Sequence, residues 1–117
     1  MITAVETQER MNADPRWWKV ALMDFVDDFR FHKDPAAIEQ AFEPSDDKRD
    51  AAFSAVIETL CDELRLSIPS WLQQVPNCHE PFFVAGLENL KATALVESPI
   101  RFRARNVFVL ANFLTRV

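Results

Sequence analysis

The chain has 117 residues, with 18 acids against 13 bases, a formal charge of −5, a pI near 5.0 and 49% hydrophobic residues. This balance excludes disordered, collagen-like and low-complexity classes and disfavours a strongly basic nucleic-acid module. The length predicts a single domain over residues 1–117.

Ten Phe and three Trp supply the core, since each aromatic hides about 150–250 Å² on burial. A core of this kind needs neither a disulfide nor a metal. One Gly stands against seven Pro. Sheet-rich domains need Gly in their hairpin turns, so the expected class is all-α, a small bundle of about five helices broken by prolines. Cys61 and Cys78 are too few for a disulfide framework. The N-terminus lacks a basic segment followed by an apolar one, so no signal peptide is expected. No apolar run approaches the roughly 18 residues of a spanning helix. Together these point to a cytoplasmic protein without a membrane segment.

Charge is unevenly placed. Residues 1–66 hold 15 acids and 8 bases, and residues 67–117 hold 3 acids and 5 bases. Solvated helices account for this, and so does association through opposite patches.

Residues 1–13 are polar and weakly periodic (Val5, Met11), which predicts a loose helix or a frayed arm. Asp14-Pro15 then reads as an N-cap with Pro in the first turn. Trp18, Leu22, Phe25 and Phe29 follow at helical spacing, widened by Ala21 and Val26, to an end near His32. Asp34-Pro35 predicts a short helix to Phe42, anchored by Ile38 and Phe42. Asp46, Asp47 and Asp50 open a helix over 46–66, where negative charge suits the dipole. Its buried stripe is Phe53, Val56, Ile57, Leu60, Cys61 and Leu64. Glu58, Asp62, Glu63 and Arg65 are expected to face water.

Pro69, Pro76 and Pro81 make 67–81 a connector with one helical turn at Ser70–Gln74, and Trp71 and Leu72 cover one end of the core. A helix is expected over Phe83–Glu97, with Leu87, Leu90 and Ala94 inward. Ser98-Pro99 reads as another capped start, with Pro at the first helical position, of a short helix that Asn106 ends in a left-handed conformation. Val107–Leu110 reads as extended, and Ala111–Arg116 as a last turn packing Phe113 and Leu114.

Candidate chemistry is sparse. Cys78-His79-Glu80, with Cys61 and His32, contains a thiol and imidazoles, yet zinc sites draw paired ligands from each half of the site. A Cys-His nucleophile needs partners that meet in space. The plainer reading is a loop cysteine and a surface histidine. Asp24, Asp27, Asp28 and His32 lie on adjacent helical turns and offer a metal- or ligand-binding face. The plainer reading is a solvated acidic face. Arg101, Arg103 and Arg105 alternate with Phe102 and Ala104. They complement a helix end and pair with the acidic N-terminal helices, bind a partner, or grip single-stranded nucleic acid; the acidic balance disfavours the last. Trp18 fits the buried stripe, so Trp17 either covers a flank against residues 1–13 or anchors an interface.

Pro69-Ser70-Trp71, then Pro81-Phe82-Phe83, the Leu-rich stretch Leu87–Val96, and Glu97-Ser98-Pro99 with Phe102, Arg103, Arg105, Val107 and Phe108 form a pattern. On these residues Ile68–Val117 resembles the C-terminal part of small bacterial antitoxin-like or regulator-associated helical proteins. The chain carries Asn106 where that pattern usually has Gly, and residues 1–67 show no helix-turn-helix signature. The resemblance implies a helical, non-enzymatic regulatory protein.

The expected function is a non-enzymatic bacterial interaction or regulatory module, antitoxin-like in the sense of that resemblance. It would use no cofactor or metal and would bind another protein or a second copy through Trp17, Arg101, Arg103 and Arg105. The alternative is a small metal- or ligand-binding bundle using Asp24, Asp27, Asp28 and His32.

Overall fold

The computed structural model describes residues 1–86 and 88–115. The described chain is mostly helical: α1 (Ala4–Ala13), α2 (Trp18–His32), α3 (Lys48–Leu64), α4 (Lys91–Glu97) and α5 (Ile100–Ala104). Two two-residue strands, β1 (Phe82–Phe83) and β2 (Val107–Phe108), pair in parallel. The all-α expectation holds for the bulk of the fold and misses this strand pair.

The N-terminal segment is a helix, one of the two forms expected, but it is docked on the core and neither loose nor frayed. The Thr3 hydroxyl accepts from Glu6 N at 3.1 Å and caps α1. Ala4, Thr7, Gln8 and Met11 are buried at i, i+3, i+4 and i+7. Two of the four are polar, so hydropathy alone hid the stripe. Thr7 Oγ1 donates to Thr3 O, and Gln8 Nε2 donates to Glu43 O and Asp50 Oδ2. Burial is thus matched by hydrogen bonds. Ile2 N ties the start of the chain to Asp28 Oδ2 at 2.7 Å.

After Asp14 the chain makes one 3-10 turn, Pro15–Trp17, before α2 begins. Asp14 makes no side-chain cap; its backbone N–H closes α1 on Arg10 O. Leu22, Phe25, Phe29, Ala21 and Val26 are buried as expected, and Trp18 is half-buried. α2 ends at His32 with Lys33 left-handed at φ 53°. Asp34 caps a 3-10 turn, Pro35–Ile38, by accepting from Ala36 N. The turn stops short of Phe42, but both anchors, Ile38 and Phe42, are buried.

α3 is the central element. Every residue from Asp50 to Ile57 is buried, with α2 on one side and α5 on another. Ala51, Ala52, Ser54 and Ala55 are small, which permits that close approach. Phe53 takes Phe25 edge-on at 5.2 Å and stacks with Phe42 at 5.7 Å. Asp47 caps α3 through Arg49 N, and Arg65 ends it left-handed. Glu58 does not face water as expected; it is half-buried and bonded to Arg105.

The connector turns at Ser70–Gln74 as expected. Leu72 is buried, and Trp71 Nε1 donates to Ile38 O at 2.9 Å. The helix expected over Phe83–Glu97 is a correction. Its first part is β1: Phe82 N donates to Asn106 O and Val84 N to Phe108 O. Aromatic and β-branched residues favour that extended form. Gly86 then turns at φ 70°, Glu88–Leu90 makes a 3-10 turn, and α4 follows. Leu87 and Arg116 lie outside the described residues.

Ser98 is another correction. It is buried and does not cap α5. Its hydroxyl donates to Ala94 O at 2.6 Å and accepts from Val109 N at 2.8 Å, tying α4 to the segment after β2. Asn106 is left-handed at φ 63° as expected. Phe113 meets Phe102 edge-on and Leu114 is buried in the final turn.

Candidate interaction surface

α1 and α2 meet at the Pro15 turn and leave a groove of about 440 Å³ between them. Ala13, Trp17, Val20 and Ala21 form its apolar wall, with Arg10 and Asp14 at its edges. Trp17 is 60% exposed. The 3-10 turn causes this, because the N-capping residue of α2 lies off the stripe that Trp18 joins. Trp18 meets Phe82 at 6.1 Å, while Trp17 lies partly covered beside Arg10 and Ala13 of α1. The edge charges make exposed ion pairs, Arg10 with Asp24 at 3.1 Å and Asp14 with Arg16 at 3.6 Å.

The three arginines part company. Arg105 is only 5% exposed and is not a surface contact, a correction to its place among the partner-binding candidates. Its guanidinium takes both Glu58 carboxylate oxygens and donates to Leu72 O and Val75 O. It therefore holds the proline-rich connector onto α3. Arg101 lies at the rim of a cleft of about 280 Å³ above that pair and grips Asp62 with two hydrogen bonds. That bonding holds the Asp62 carboxyl below its ordinary range. Arg103 is exposed.

The acidic face of α2 meets partners within the chain. Asp24 receives Arg10, and Asp28 receives Ile2 N and lies 3.4 Å from His32 Nε2. Asp27 is exposed and contributes a field that favours the charged Arg30. Arg30 itself forks onto Glu63 and donates to Leu114 O. Among the described residues no group of three or more His, Cys, Asp or Glu is placed to hold a metal ion.

The thiols do not form a site together. Cys61 is buried in α3, and burial pushes its pKa up to about 11. Burial also raises the Cys78 thiol, whose Sγ lies 3.9 Å from Lys48 O. His79 and Glu80 are exposed. The backbone of Cys78 is zipped to Arg105 O and to the Asn106 side chain, so this tripeptide serves the connector.

Sequence reasoning missed Arg10, Asp14 and Val20 as neighbours of Trp17. The i, i+4 spacing of Arg10 and Asp14 was visible, but the sharp α1–α2 turn that brings them beside Trp17 was not. No helix among the described residues is long and apolar enough to cross a membrane. No protein-family model matches the chain, and no curated protein or solved structure is significantly similar to it.

Proposed function

We propose that this protein is a non-enzymatic, cytoplasmic interaction module whose principal docking face is the Trp17 groove. The observation that carries the reading is Trp17 itself, an exposed indole at the corner between α1 and α2, outside the core cluster. Trp is among the residues most enriched in binding hot spots. Trp17 does not stand alone: Ala13, Val20 and Ala21 line the same groove, so the indole belongs to an apolar patch. Arg103 and the rim of Arg101 supply a second, basic contact region. The non-enzymatic part rests on chemistry: both thiols are held toward the protonated form, and an unactivated thiol is a poor nucleophile. The resemblance of Ile68–Val117 to antitoxin-like bacterial proteins suggests a regulatory module that restrains a partner protein.

The test is quantitative capture from the host with tagged wild type, Trp17→Ala and Arg103→Ala. A protein enriched on wild type over an untagged control and lost from Trp17→Ala, with unchanged circular dichroism, is the expected result. A capture profile indifferent to Trp17, or catalytic turnover by the purified chain, would overturn the proposal.

A further inference from the structure

The groove carries more than an apolar wall. Its edges bear opposite charges one helical turn apart, Arg10 near the end of α1 and Asp14 at its C-cap. Arg10 bridges to Asp24 beyond Val20 and Ala21, so it marks one end of the groove. Asp14 lies at the turn beside Trp17 and marks the other. Opposite charges at its two ends are an arrangement that a two-fold contact can use. In an isologous contact, residue i of one copy meets residue j of the other, and j meets i.

We infer that the occupant of the Trp17 groove is a second copy of this chain, packed about a two-fold axis that sets Trp17 and Val20 against their equivalents. Arg10 of each copy then faces Asp14 of the other. The inference rests on the interaction reading above and adds the identity of the partner.

The ion pairs already present do not oppose this. Asp14–Arg16 is long, at 3.6 Å, between largely exposed side chains, and Arg10–Asp24 is also solvent-exposed. Exposed pairs of this kind have little hold on either partner, so Arg10 and Asp14 can re-pair across the axis. The apolar part is small: Trp17 at 60% exposure and Val20 at 44%. An interface built on it falls below the roughly 1,200 Å² of stable complexes and is transient. The contact is therefore weak and shows itself only at high protein concentration.

Sedimentation velocity over a concentration series tests the geometry on the full chain. Wild type should shift from monomer to dimer with concentration. Trp17→Ala, Arg10→Glu and Asp14→Arg should each weaken the dimer about tenfold or more. Phe31→Ala removes an aromatic that is 81% exposed elsewhere on α2 and should leave the dimer unchanged. The decisive sample is a mixture of Arg10→Glu with Asp14→Arg. Only an isologous contact restores both salt links in that heterodimer, so association should return to the wild-type level.

A wild type that stays monomeric to about 1 mM would overturn the inference. So would a dimer indifferent to Trp17, or a charge mixture no better than either variant alone. If the chain is monomeric but Trp17→Ala still loses a different protein on capture, the two-fold contact fails while the interaction module stands.

Discussion

Arg105 Nε donates to Glu58 Oε1 at 2.7 Å across 47 residues of sequence, with side chains only 6% and 14% exposed. The same guanidinium satisfies Leu72 O and Val75 O. One side chain thus joins α3, α5 and the proline-rich connector, which has no ladder of its own to hold it.

Removing one partner of a buried pair leaves the other charge uncompensated, which costs about 3–5 kcal/mol. Arg105→Met should destabilise by about that amount in urea unfolding. It should also open the connector to proteolysis near Val75. Arg105→Lys should recover little, because an ammonium cannot reproduce the planar fork. Arg103→Met, at an exposed position on the same short stretch, should change stability by less than about 0.5 kcal/mol.

Asp50 gives a pH signature. It is buried, and burial raises its carboxyl above the ordinary range despite hydrogen bonds from Ser45 and Gln8. A raised acid binds its proton more tightly in the folded state. Its ionisation therefore opposes folding above the raised pKa, and the penalty disappears as pH falls below it. Asp47, Asp62 and Glu63 are shifted the other way by their arginine partners. Their stabilisation is present above the ordinary carboxylate range and is lost as pH falls through their lowered values. Asp50→Asn removes the first effect and keeps the second. Its stability relative to wild type should be more favourable at about pH 7 than at about pH 4 in paired urea titrations.

Cysteine reactivity should separate the two thiols. Cys61 is fully buried with its pKa near 11. At neutral pH it should remain unmodified by a thiol reagent until the chain unfolds. Cys78 is half-buried and only raised. It should react in the native state, more slowly than a free thiol. Native protein should therefore titrate with one slow thiol and denatured protein with two. Two fast thiols in the native state would contradict the placement of Cys61.

Asn106 should respond to substitution through its backbone. At φ 63° a Cβ-bearing residue is strained, and the Asn106 side chain also donates to Cys78 O at 3.1 Å. Asn106→Ala should cost about 1–2 kcal/mol, adding the left-handed penalty to a lost hydrogen bond. Asn106→Gly relieves the strain and loses only the bond, so its cost should be smaller. Thermal melts of the two variants give the order directly.

The trace of the fold was partly written in local patterns. α2 and α3 were legible because long apolar stripes at helical period have one stable reading. Asp34 and Asn106 were legible because capping is a local interaction, whereas Asp47 was read only as a charge that suits the helix dipole. The first helix was legible only as a loose helix or frayed arm, since two of its four buried residues, Thr7 and Gln8, are polar, and the partners of Gln8 lie elsewhere in the chain. Gln8 reaches Glu43 and Asp50. The expected helix from Phe83 failed for the same kind of reason. Phe82 and Val84 have hydrogen-bond partners in the segment Asn106–Phe108, and a window of local sequence contains none of that pairing.

Composition and periodicity alone determined a helical protein with a Phe-rich core and proline breaks, because these follow from side-chain burial and backbone limits near each residue. The tertiary structure decided which charged residues stayed at the surface. Arg105 went inside because Glu58 and two connector carbonyls met it there, whereas Arg103, on the same short stretch, faced solvent. It also decided that Trp17 would stand beside Arg10 and Asp14. Contacts between residues on different elements depend on how those elements pack, and no local sequence pattern contains that.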